Sequence, residues 1–166
     1  MTIHRDHPFL DPDPDPVRRF RARLGGAVTL WTSGADPDRA GLTVSSLMVA
    51  AGDPALVLSL VDPDSDLFDA LVESGAAVVQ LLRWPHRQLA DAFAGAPAPG
   101  GPFTLGEWEQ TAFGPRLVDV ETWAGVRLEK TEPAGWASLV TCVVEEITVS
   151  DDDADPLFHR RGRYSH

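Results

Sequence analysis

The chain has 166 residues, 43% of them hydrophobic, which suits one packed domain rather than two and argues against a largely disordered chain. A formal net charge of −11 argues against a nucleic-acid-binding surface, which needs a basic face. No apolar run approaches the roughly 20 residues of a membrane span. The N-terminus MTIHRDHPFL lacks the apolar core of a secretory signal, and the one cysteine, Cys142, cannot form an internal disulfide, so the expected compartment is the cytoplasm.

Residues 1–16 end in DPDPDP, where each aspartate before proline is pushed away from helix, so this segment is expected to be an extended arm preceding a domain over 17–166. VRRFRARL spaces Val17, Phe20 and Leu24 as a helix that Gly25 and Gly26 stop. AVTLWTS, LTVSSLMVAAG and PALVLSLV read as three strands, the last so evenly apolar that burial on both faces is expected. DLFDALVES reads as a helix with Asp64 or Ser65 as N-cap and Gly75 as stop. AAVVQLL is a strand and HRQLADAF a short helix. Residues 103–120 read as an excursion that ends in a strand near Arg116–Val120. TWAGVRLEKTEPAG and WASLVTCVVEEITVS are two more strands, and LFHRRGRY is a short terminal segment. Six or more strands, two or three short helices and no βαβ alternation point to a closed β-barrel with flanking helices. Neither GxGxxG nor GxxxxGK[ST] occurs.

Three stretches carry candidate chemistry. Gly41-Leu42-Thr43-Val44-Ser45-Ser46 sets three hydroxyls in four residues, suited to a flat polar ring edge or a phosphate, or else simply a solvated strand face. Val61-Asp62-Pro63-Asp64-Ser65-Asp66 joins a strand to a helix N-terminus, either an anion site or an ordinary acidic cap. His159, Arg160, Arg161, Arg163 and Tyr164 form a group able to hold an anionic cofactor, or else a basic disordered tail. Arg18, Arg21 and their neighbours are either local positive charge or a solvated helix face. Cys142 reads as a buried, inert thiol, and no histidine spacing suits a metal.

In order and spacing, Val28–Thr32, Gly41–Ser46, Asp53–Leu58, Ser65, Gln88–Gly95 and His159–Tyr164 resemble the flavin reductase-like family of FMN-binding split barrels. The resemblance implies a mainly β, six-stranded Greek-key split barrel with flanking helices, a homodimer, and FMN (or FAD) as ligand. It implies an NAD(P)H:flavin oxidoreductase that supplies reduced flavin to a partner monooxygenase. The alternative is a non-reductase FMN-binding protein, a carrier or an oxidoreductase on another substrate. Thr43, Val44, Ser45 and Ser46 would line the flavin, and Val61, Asp62 and Ser65 would contact its phosphate. Phe93 and Ala94 would close over it, with Tyr164 beside it. His159 and Arg161 would guide the nicotinamide of NADH or NADPH. The family's D-R-F-A-G reads here Asp91-Ala92-Phe93-Ala94-Gly95, without the arginine.

Overall fold

A computed structural model describes residues 15–166, so most of the expected arm, residues 1–14, lies outside the described residues. Helix α1 (Pro16–Leu24) begins where the Asp15 carboxylate accepts the Val17 N–H at 3.0 Å, and ends at Gly25 with φ of 67°. The strands follow as β1 (Gly26–Ala27), β2 (Thr29–Ser33), β3 (Ala40–Val44), β4 (Leu47–Ala50) and β5 (Leu56–Val61). Helix α2 (Asp66–Ser74) is capped by Ser65, whose hydroxyl accepts the Phe68 N–H, and stops at left-handed Gly75. Next come β6 (Ala76–Leu81), α3 (Arg87–Phe93), β7 (Trp108–Gln110) and β8 (Pro115–Leu117). The chain closes with β9 (Trp123–Ala134), β10 (Ala137–Thr148), β11 (Phe158–Arg160) and β12 (Arg163–Ser165).

The main sheet has seven strands in the order β3-β2-β6-β9-β10-β5-β4, all neighbours antiparallel. Its two edge strands, β3 and β4, are consecutive in the chain and separated only by Ser45 and Ser46. Taken as one bent strand they bring the edges together, and the ladder closes into a ring of six. The single strand expected over LTVSSLMVAAG is thus split where it leaves β2 and joins β5.

Two apolar clusters fill the two sides of β2. Trp31 packs with Val44, Val57, Val61, Leu67 and Leu71 inside the ring, where α2 plugs one end. Leu30 packs with Val28, Leu82, Leu89, Phe93, Leu117 and Leu157 beneath α3. All five residues of β2 are buried for this reason. Cys142 is fully buried, and loss of water pushes its thiol up to about 12, so it is inert at neutral pH.

Three elements differ from the sequence reading. β5 is buried on one face only. Val57, Ser59 and Val61 point inward while Leu60 is 41% exposed, because no layer covers its outer face among the described residues. The terminal basic segment is a hairpin, not a loose tail: β11 pairs with both β1 and β12, and the turn uses left-handed Arg161 and Gly162. The excursion over 103–120 carries a small hairpin, β7–β8, which ends at Leu117 and is pinned by a buried amide. Gln80 donates to the Thr32 hydroxyl at 3.1 Å and accepts the Leu117 N–H at 2.6 Å, while Thr32 donates to the Pro115 carbonyl.

Candidate functional site

The bend at Ser45–Ser46 forms the floor of a cleft of about 800 Å³. Leu42, Thr43, Val44, Ser45, Ser46 and Leu60 line it from the barrel; Arg18, Arg21, Ala22 and Leu24 from α1; His159 and Gly162 from the terminal hairpin. Such a volume lies within the range of small-molecule sites.

Each wall has a local cause. Gly26 lets β1 pass directly over the bend, since a Cβ there would come within 2.6 Å of the Ser45 carbonyl oxygen. Ser46 donates to the Leu60 carbonyl at 3.0 Å, and Ser59 donates to the Ser46 carbonyl at 2.9 Å, so the bend is tied to β5. Thr43 donates to the Ala90 carbonyl at 2.6 Å, which fastens β3 to α3 and leaves the Thr43 oxygen free to accept a further hydrogen bond. Arg18 and Arg21, three residues apart, share one face of α1. They bring two cations to a cleft in a protein of net charge −11. α1 is held by the terminal hairpin, where the Arg161 N–H donates to the Ala22 carbonyl at 2.8 Å and Arg160 Nε to that of Arg23 at 3.0 Å.

His159 stands opposite Tyr164 in the β11–β12 ladder, their ring centroids 5.5 Å apart and edge to face. Tyr164 Oη donates to Asp91 Oδ1 at 2.8 Å. Burial pushes the His159 imidazole below its usual range, and the Asp91 carboxylate pulls it partly back. Burial, reinforced by the bond to Asp91, raises the Tyr164 phenol and keeps it protonated.

The structure therefore brings together Thr43, Val44, Ser45, Ser46 and His159, with Tyr164 directly behind. The other expected contacts do not line this cleft. Val61 is 1% exposed inside the barrel. Asp62 and Ser65 build the turn into α2, the Ser65 hydroxyl donating to the Asp62 carbonyl at 2.7 Å. Phe93 is 4% exposed and packs its ring against Gly41 of β3, while Ala94 follows α3 in solvent. Arg161 sits in the hairpin turn with φ of 55°. Sequence reasoning gave no site role to Leu42, Leu60 or Asp91. Leu60 carries no signal, but Asp91 stands at the head of the D-x-F-A-G motif.

Residues 21–166 match the flavin reductase like domain. The chain belongs to the flavin reductase-like family. It is 28% identical over 165 residues to an FMN reductase (NADH) RutF 1 of Methylorubrum extorquens, covering 99% of this chain and 81% of that protein. It is 32% identical over 131 residues to the FMN reductase (NADH) RutF of Ancylobacter novellus, covering 78% and 72%. Among solved structures, the fold matches a Streptomyces globisporus NADH:FAD oxidoreductase in complex with NAD and FAD fragments, with a TM-score of 0.81, 19% identity and coverage of 90% of each chain. It also matches BorF, the flavin reductase component of a bacterial two-component tryptophan halogenase, with a TM-score of 0.78, 23% identity and coverage of 90% and 94%. The mainly β split barrel expected from the sequence is the fold observed. Among the described residues no helix is long and apolar enough to cross a membrane.

Proposed function

We propose that the protein is an NAD(P)H:flavin oxidoreductase whose flavin, FMN or FAD, lies in the cleft at the Ser45–Ser46 bend. The carrying observation is that family membership over residues 21–166 coincides with a cleft where small hydroxyls face two arginines and a histidine. When bound, the flavin supplies the hydride-accepting chemistry. The chain's own residues then do three things. Thr43, Ser45 and Ser46 present oxygens and backbone along a flat polar edge. Arg18 and Arg21 hold phosphate, a role the sequence motif alone would give to the turn at Asp62 and Ser65. His159 faces the nicotinamide nucleotide, with Tyr164 fixing its ring, and Arg161 keeps the hairpin turn that carries it.

The reduced flavin passes to a partner monooxygenase, and the protein works as a cytoplasmic homodimer. Two exposed apolar surfaces support the dimer: Val17, Phe20 and Leu24 on α1, and Met48, Val49 and Leu60 on β4 and β5.

The test is oxidation of NADH or NADPH by the purified protein with excess FMN or FAD, followed by loss of the reduced nicotinamide absorbance. Turnover is expected. FMN at a hundredfold excess over Kd should add about 2.7 kcal/mol of stability, a Tm rise of about 5–10 °C. A yellow protein without turnover would favour a flavin carrier, and neither binding nor turnover would refute both readings.

A further inference from the structure

We propose that Asp91 is a positioning residue that holds the catalytic hairpin at the cleft. This rests on the reading of the cleft as the flavin and nicotinamide site. Helix α3 touches both walls of that cleft through adjacent residues. The Ala90 carbonyl accepts the Thr43 hydroxyl of β3 at 2.6 Å, and the Asp91 carboxylate accepts the Tyr164 phenol of β12 at 2.8 Å. A single turn of helix therefore fixes the distance between the hydroxyl floor and the hairpin. Because Tyr164 is the ladder partner of His159, the tether to Asp91 also fixes where His159 stands.

The arrangement has an electrostatic side. The groups facing His159 are Asp91 from α3, Tyr164 from β12, and Arg18 and Arg21 across the cleft from α1. Burial disfavours an imidazolium, while the Asp91 carboxylate favours it. Asp91 thus sets both the position and the protonation of the histidine without lining the cleft itself.

Three variants separate these effects. Asp91→Asn keeps an acceptor for the Tyr164 hydroxyl and removes the charge. Tyr164→Phe keeps the charge and removes the tether. Asp91→Ala removes both. Each is measured for Tm, for FMN affinity, for kcat and KM with NADH across the neutral pH range, and for the His159 titration by NMR. Asp91→Asn should retain the wild-type Tm, lower the His159 pKa and displace the pH profile downward with it. Tyr164→Phe should raise KM for NADH by about tenfold or more through misplacement with FMN affinity within about twofold of wild type. Asp91→Ala should show both changes. A His159 titration unmoved by Asp91→Asn, together with wild-type NADH kinetics in Tyr164→Phe, would overturn the proposal. A wild-type protein that oxidises no NADH would instead refute the function, and the His159 titration, which needs no turnover, would still decide the role of Asp91.

Discussion

Substituting Gly41→Ala probes how β3, whose next residues line the cleft, seats on α3. A Cβ at this position would lie 2.6 Å from Phe93 Cε1 and 2.8 Å from Cδ1, with Thr32 Cγ2 at 3.3 Å. Carbon atoms settle at about 3.5–4.0 Å, so the ring or the strand must yield by about 1 Å. The ring has little freedom, being 4% exposed and set edge-on to Phe103 at 5.0 Å and Trp108 at 5.8 Å. Overpacking of this kind costs about 1–3 kcal/mol. A value of about 2 kcal/mol lowers Tm by about 4–8 °C in a domain of this size. Displacing α3 also strains the Thr43–Ala90 hydrogen bond, and loss of about 1 kcal/mol there weakens FMN binding about fivefold. The assay is a double-mutant cycle with Phe93→Leu, read by thermal or urea denaturation and by FMN titration. If the clash is the cause, the double variant should be more stable than the two single changes predict by about 0.5–3 kcal/mol. Additivity, or a Gly41→Ala protein as stable as wild type, would refute the steric account.

The bend itself is tested by Ser45→Ala, which should spare stability, and Ser46→Ala, which should cost about 1 kcal/mol by losing its bond to the Leu60 carbonyl. Together they should weaken FMN binding about thirtyfold, and unchanged affinity would remove the bend from the site. Gln80→Leu strands the buried Leu117 N–H and should destabilise by about 3 kcal/mol, or 6–12 °C in Tm; a shift under about 2 °C would show that β7–β8 docks without it. A folded His159 holds its proton less tightly than an unfolded one, whose pKa is about 6.5. Its contribution to stability is therefore complete above about pH 6.5 and lost as pH falls through the lowered folded value. His159→Gln should accordingly flatten the acid limb of the stability curve, and an identical limb would contradict that sign. Leu157→Ala should cost about 2–5 kcal/mol, since Leu157 is fully buried in the cluster under α3. A near-neutral change would mean that the terminal hairpin is peripheral.

The barrel strands were legible because their β-branched and apolar runs are punctuated by glycine, proline and aspartate. The Thr43–Ser46 motif was legible because hydroxyls crowd where a strand should be apolar. What the sequence concealed was long-range. Even apolar content in PALVLSLV does not say that Leu60 faces outward, since alternation is invisible when both faces are aliphatic. The sequence leaves the terminal segment open between an anion-holding group and a tail because its order comes from β1, more than a hundred residues away, and from Leu157, whose N–H and carbonyl bridge Leu82 and Val28. Truncation after Asp155 therefore removes a core residue along with the arginines. Asp91 lay in plain view within a motif, but its partner Tyr164 is 73 residues on, and only the fold joins them.

The absent motif arginine has a physical account in the same helix. Ala92 is 8% exposed, so a guanidinium in its place would have to be desolvated or would push α3 off β3. The cations at the cleft come instead from α1, which moves the charge from the buried face of α3 to a helix with no buried residue. Nine residues are too few for a helix to persist on propensity alone. α1 therefore depends on its Asp15 cap and on the hydrogen bonds its last turn accepts from the Arg160 side chain and the Arg161 N–H. Its apolar side, with Val17 72% and Phe20 66% exposed, is left uncovered among the described residues. In the proposed homodimer a second copy burying this side would fix Arg18 and Arg21 over the cleft, so Phe20→Ser should lower the mass seen by size-exclusion chromatography and weaken FMN binding together, and a monomer that binds FMN as tightly as wild type would refute the link.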